Sequence, residues 1–99
     1  MLEVLILFPS TADQTAVDEV ASGFVRAISE ATGVRSVRTS SGGVMARGGP
    51  SPFQRVIEVS VDSLADWVAW VTVHPMSESA LAPTISPLVI YFEVAAPEA

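Results

Sequence analysis

Apolar positions fall along this chain in two alternating periods. Leu2 to Phe8 (LEVLILF) is a run of strand formers with one charge, closed by Pro9-Ser10-Thr11, and it predicts a first strand. From Asp13 to Ala31 the period changes. Val17, Val20, Phe24, Ile28 and Ala31 recur at spacings of three and four, the stripe of a long amphipathic helix. Thr11 and Gln14 have the spacing of a cap at its start, and Thr32-Gly33 supplies a stop. Val34 to Thr39 (VRSVRT) mixes β-branched residues with arginines and predicts a second, more exposed strand.

Ser40 to Pro52 carries Gly42, Gly43, Gly48, Gly49, Pro50 and Pro52, so it reads as a hairpin tip and as the most mobile internal segment. Phe53 to Val61 follows as the third strand, with Ile57, Val59 and Val61 on one face. Ser63 and Asp66 then have the spacing of a capping box opening a second helix. Its apolar stripe is Leu64, Trp67, Val68 and Val71, with Trp70 beside it. Pro75 ends or kinks that helix at His74, Met76 to Ala82 adds a turn or two, Leu88 to Val94 is the fourth strand, and Ala95 to Ala99 is a tail.

The order β-α-β-β-α-β in one domain, residues 1–99, predicts an α+β fold of the ferredoxin-like kind: a four-stranded antiparallel sheet with both helices on one face. Side chains alternate across a sheet, and apolar sets remain on both sides of the first and fourth strands. With Ile57, Val59 and Val61 facing the helices, the other face is expected to hold Leu5, Leu7, Val56, Val89 and Tyr91, which a second sheet would cover. Glu3, Glu58 and Glu93, opposed by Arg35 or Arg55, would be ionic neighbours at its edge. A homodimer is therefore expected.

Composition narrows the partners. A length of 99 residues and 49% apolar content make a small domain with surface to spare, and the mean hydropathy of +0.47 agrees. Five arginines, no lysine and a net charge of −6 give no basic cluster for phosphate, so nucleic acid is not an expected partner. The longest apolar run, Val4 to Phe8, is far short of a membrane span, no basic segment precedes it, and a cytoplasmic chain without membrane contact is expected. Zero cysteines and one histidine exclude a disulfide framework, a thiolate metal site and a two-histidine metal site in one chain. Neither metal nor cofactor is expected.

The chain resembles the dimeric α+β barrel superfamily and, within it, EthD-like proteins. The resemblance lies in the opening LEVLILFP, the helix start Ala12 to Asp18, Gly33-Val34-Arg35-Ser36-Val37 entering strand two, and VIEVSVDSLADWVAW running from strand three into the second helix. It implies the fold and a homodimer. Relatives commonly carry an aromatic residue and a histidine on the first helix, where this chain offers Ala21, Gly23, Phe24 and Val25, so that histidine's chemistry does not carry over.

His74 is the one side chain with an ordinary pKa near neutrality and the one candidate acid or base. It follows Trp67 by seven residues, close to two helical turns. A tryptophan and a histidine beside a helix-sheet cavity resemble the haem-degrading branch of the superfamily, but that branch has an asparagine on strand one and this chain has none. Trp67, Trp70 and Tyr91 join aromatic area to a polar tip, as ligand pockets do. The expected site lies between sheet and second helix near Trp67, His74 and Tyr91, with Tyr91 placed there or in the barrel according to strand parity. Arg38 and Arg47 flank the glycine-rich stretch, which could receive an anion but reads more simply as a hairpin. The function expected is binding of a small hydrophobic or aromatic molecule. The alternatives are a cofactor-independent monooxygenase, cyclase or decarboxylase using His74, and a structural accessory subunit.

Overall fold

The computed structural model describes residues 1–74 and 85–95. Strand β1 (Leu2–Pro9) leads into helix α1 (Gln14–Ile28), followed by β2 (Val34–Thr39), β3 (Phe53–Val61), α2 (Leu64–Val73) and β4 (Leu88–Glu93). The sheet runs β2-β3-β1-β4 with every neighbouring pair antiparallel, the ferredoxin-like arrangement. The helical turn expected at Met76 to Ala82 lies outside the described residues, as does most of the tail.

β1 is flanked on both sides, and its alternation decides which face is core. Leu2, Val4, Ile6 and Phe8 are at most 1% exposed and oppose Val61, Val59, Ile57 and Arg55 of β3. Above them α1 lays down Val17, Ala21, Phe24 and Ile28, α2 contributes Trp67, and Ile85 completes the cluster. Each valine, leucine, isoleucine and phenylalanine among them contributes about 1.5–3 kcal/mol when fully buried. Exposed ion pairs such as Arg38 with Glu58 contribute less than about 1 kcal/mol, so burial is what holds the helices to the sheet.

Register corrects the expected parity of the fourth strand. Val4 opposes Tyr91 and Ile6 opposes Val89, and directly opposed residues share a face, so Val89 and Tyr91 stand on the helix side. Leu88, Ile90 and Phe92, opposite Leu7, Leu5 and Glu3, stand on the other. The alternation along β4 is the expected one with its phase shifted by one residue, because phase is set by pairing with β1 and not by β4 itself.

The ion pairs are corrected by the same register. Glu58 pairs with Arg38 across β2 and β3, and Arg55, on the helix side opposite Phe8, reaches Asp18 of α1 at 2.8 Å. Glu93 also lies on the helix side, 3.8 Å from the Met1 amino group, and Glu3 accepts from the Ser60 hydroxyl at 2.9 Å. Arg35, the extra residue where the β2-β3 register shifts, donates to Asp62; that hydrogen bond and the carboxylate's charge hold the guanidinium above its ordinary pKa.

Helix ends also differ from expectation in detail. Asp13, not Thr11, caps α1, its carboxylate accepting from the Ala16 N–H at 3.0 Å. The helix stops at Ile28 with Ser29 as C-cap, and two tight turns carry the chain to Gly33. Ser63 caps α2, accepting from the Asp66 N–H at 3.2 Å and donating to the Asp66 carboxylate at 3.0 Å. Of the stripe expected on α2, Trp67 is buried and Trp70 and Val71 pack on the core, whereas Leu64 and Val68 are exposed. This helix is apolar on nearly every side, so spacing alone did not single out the face that Trp67 fills.

Gly33 joins the two halves. Its φ of +83° is left-handed, and a Cβ there would sit 2.4 Å from the Asp66 carboxylate oxygen. Gly33→Ala is expected to destabilise the protein by at least about 1–2 kcal/mol, the left-handed cost, with the clash adding to it. Urea unfolding checks this against Gly43→Ala, which lies outside the left-handed region with nothing within 4 Å and should be close to neutral.

Candidate functional site

Residues at i, i+3 and i+4 share one side of a helix, and on α2 that rule stacks three rings. Trp67, 5% exposed, fills the space under the helix. Trp70 lies against it at a centroid distance of 5.9 Å and an interplanar angle of 21°. His74 stacks on Trp70 at 4.6 Å and 9°, and Phe24 of α1 meets Trp70 edge-on at 5.5 Å and 89°. Trp70 is thus the shared member of all three ring contacts among the described residues, tying α1 to α2.

His74 is also the C-cap of α2. Its backbone N–H donates to the Trp70 carbonyl at 2.9 Å, and its ring Nδ1 stands 3.2 Å from the same oxygen. In the tautomer where Nδ1–H donates, Nε2 keeps its lone pair for a partner outside the protein. The ring is exposed, so a ligand can reach it.

Beside this stack lies a hollow of about 330 Å³ lined by Thr32, Asp66, Ala69, Trp70, Val73 and His74. Trp70 and Val73 make its apolar wall, with the His74 imidazole and the Asp66 carboxylate on the same face of α2. Such a hollow suits a flat apolar molecule carrying one or two polar atoms. From sequence Asp66 is legible only as a cap. Its spacing of four and eight residues from Trp70 and His74 was the available sign that all three share a face. Thr32 had no such sign, since the close approach of Gly33 to Asp66 brings it there.

The expected residues are therefore only partly gathered. Trp67, Trp70 and His74 form one stack, with Trp67 beneath it and outside the hollow. Tyr91 stands on the helix side of β4, 53% exposed, and takes no part in the stack. Arg38 is engaged with Glu58, and Arg47 is exposed at the hairpin tip, where Ala46 and Gly49 form an isolated bridge. Among the described residues no three acidic or histidine side chains gather as metal ligands.

The fold is shared with solved structures of low sequence identity. A dimeric ferredoxin-like protein of unknown function from Thermobifida fusca YX superposes with a TM-score of 0.67 at 13% identity, over 94% of this chain and 90% of that one. An EthD-like protein from Ralstonia eutropha JMP134 gives 0.65 at 17%, over 98% and 94%. A hydroxynitrile lyase from Passiflora edulis gives 0.65 at 16%, over 99% and 97%. No protein-family model and no curated protein sequence matches the chain. The resemblance to EthD-like and dimeric ferredoxin-like proteins is met at the level of the fold.

Truncating the shared ring should loosen both helices. Trp70→Ala is expected to cost roughly 2–4 kcal/mol, below the range for a fully buried tryptophan because Trp70 is partly exposed. Thermal or urea unfolding checks it, and His74→Ala, at an exposed helix end, should cost less than Trp70→Ala.

Proposed function

We propose that this chain is an EthD-like homodimer whose two sheets face each other, and that each protomer holds a small hydrophobic or aromatic molecule against Trp70 and His74. The observation that carries the assembly is the sheet face away from the helices. Leu5, Leu7 and Val56 line it at half burial, and Leu88, Ile90 and Phe92 are 48%, 43% and 47% exposed. Contiguous apolar surface of this kind is costly in water and is covered well by a second copy of the same sheet. Arg38 with Glu58, and Glu3 with Ser60, would form its polar margin. Dimers among proteins of this fold support the reading.

The ligand half of the proposal rests on the hollow beside Trp70. Its wall is aromatic, its polar groups are few, and its volume of about 330 Å³ is that of a one- or two-ring molecule. The proposal includes a cytoplasmic site of action, compatible with a chain in which no described helix is long and apolar enough to cross a membrane.

His74 favours a second reading, a cofactor-independent enzyme. Its Nδ1 contact with the Trp70 carbonyl fixes the ring and leaves Nε2 as the atom to take a proton from a molecule held in the hollow beside the stack.

Sedimentation at micromolar concentration is expected to give twice the 10.4 kDa chain mass, falling to the single chain in Leu7→Glu or Ile90→Glu. A wild-type species of 10.4 kDa would overturn the assembly. For the ligand, 1-naphthol should quench tryptophan emission saturably and lose at least about tenfold in affinity, ~1.4 kcal/mol, in Trp70→Phe. Binding that ignores Trp70 would remove the site. The second reading is separated by deuterium exchange into the methyl group of acetophenone: catalysed exchange abolished in His74→Ala marks a proton shuttle, and no exchange with naphthol binding retained marks a binder.

A further inference from the structure

The other end of the sheet holds a concavity of opposite character. There β1 leaves the sheet at Pro9, α1 begins, and the hairpin after β2 returns into β3. Phe8 opposes Arg55 while Pro9 opposes Phe53, so Gln54 is an extra residue in β3, a bulge. Its side-chain amide donates to the Pro9 carbonyl at 2.9 Å and the Ala12 carbonyl at 2.8 Å, fixing the turn from β1 into α1. The hairpin and this turn enclose a cleft of about 570 Å³, within the range of small-molecule sites.

Its chemistry is set by a paired charge. Arg55 keeps only 25% of its side chain exposed, donating to Asp18 Oδ1 at 2.8 Å and to Thr39 Oγ1 at 3.2 Å. Among the described residues, Asp18 Oδ2 and the Arg55 Nε–H have no protein partner. Asp18 and Arg55 both line the cleft and bring it an acceptor and a donor that carry no net charge between them. Ser10 and Ser40 add hydroxyls to the lining, and half-buried Phe53 gives it one apolar wall. Ser40 Oγ already accepts from the Val56 N–H at 3.0 Å, which leaves its own hydrogen to donate.

An anion gains little here, because Asp18 neutralises the cation, and a cation gains little for the converse reason. Adjacent hydroxyl groups do gain: each both donates and accepts, so one can donate to Asp18 while its neighbour accepts from Arg55, both as charge-assisted bonds. The C–H face of a ring bearing them can lie on Phe53. A purely mechanical tie between α1 and β3 would need no open cleft, and a packed apolar pair would serve it at least as well.

We propose that this cleft binds the vicinal hydroxyls of a small polyol or sugar, independently of the hollow at Trp70. Amide NMR of the full chain is the test, with myo-inositol as probe, sodium acetate as the anionic arm and 1,4-butanediol as the diol without adjacent hydroxyls. Myo-inositol is expected to shift the amides of Gly42, Gly43 and Gln54 saturably, and the other two probes are not. Asp18→Asn should weaken binding at least about tenfold by removing the charged acceptor. Gly43→Leu tests the site without touching the ion pair: Gly43 lies outside the left-handed region and a Cβ there meets nothing within 4 Å, so the fold tolerates the change while the side chain occludes the cleft. Absence of saturable shifts, equal or stronger shifts with acetate or butanediol, or full affinity in either variant overturns the proposal.

Discussion

Two helices can cover only one face of a four-stranded sheet, and β1 is apolar on both. Leu2, Val4, Ile6 and Phe8 take the covered side, so Leu5 and Leu7 must stand on the side no helix reaches. Antiparallel register then passes the same division to β4, where Ile90 and Leu88 join Leu5 and Leu7. The open apolar face is a direct consequence of how β1 is written, and the proposed dimer follows from it because burying that face is worth more than any ion pair on the surface.

On the covered side, the packing of α2 turns on one ring. The helix has little polar surface to tell inside from outside, and Trp67 decides the matter by filling the space beneath it. Once Trp67 is in, Trp70 is carried to the junction with Phe24, and His74 comes to lie on Trp70 at the helix end. The candidate binding ledge is thus a by-product of core packing, with the C-cap of the helix supplying its one titratable ring. Proteins of this fold carry unlike chemistries, among them a hydroxynitrile lyase, so any activity has to be argued from that ledge and not from the topology.

The two ends of the molecule differ for a simple reason. At the α2 end aromatic rings close the structure, whereas at the start of α1 a bulge at Gln54 and a glycine-rich hairpin keep side chains apart. Polar groups there answer to backbone carbonyls and to each other, Gln54 to Pro9 and Ala12, Arg55 to Asp18. What remains between them is a hydrophilic cleft.

Element order, strand and helix types, the Ser63 cap and the presence of two apolar sheet faces were all legible in the sequence, because they depend on periodicity and on neighbours a few residues away. So was the seven-residue spacing that sets Trp67 and His74 two turns apart on one helix, but not that Trp70 stacks against both. Tertiary structure alone decided the phase of β4, which moved Tyr91 and Val89 to the helix side, since a strand's phase is a property of the partner it pairs with. It also decided that Arg55 serves Asp18 and not an outer-face glutamate, that Asp13 caps α1, and that Gly33 admits Asp66. Each of these joins residues that either sit far apart in the chain or compete locally for one place, and their choice is made by the geometry of the packed whole.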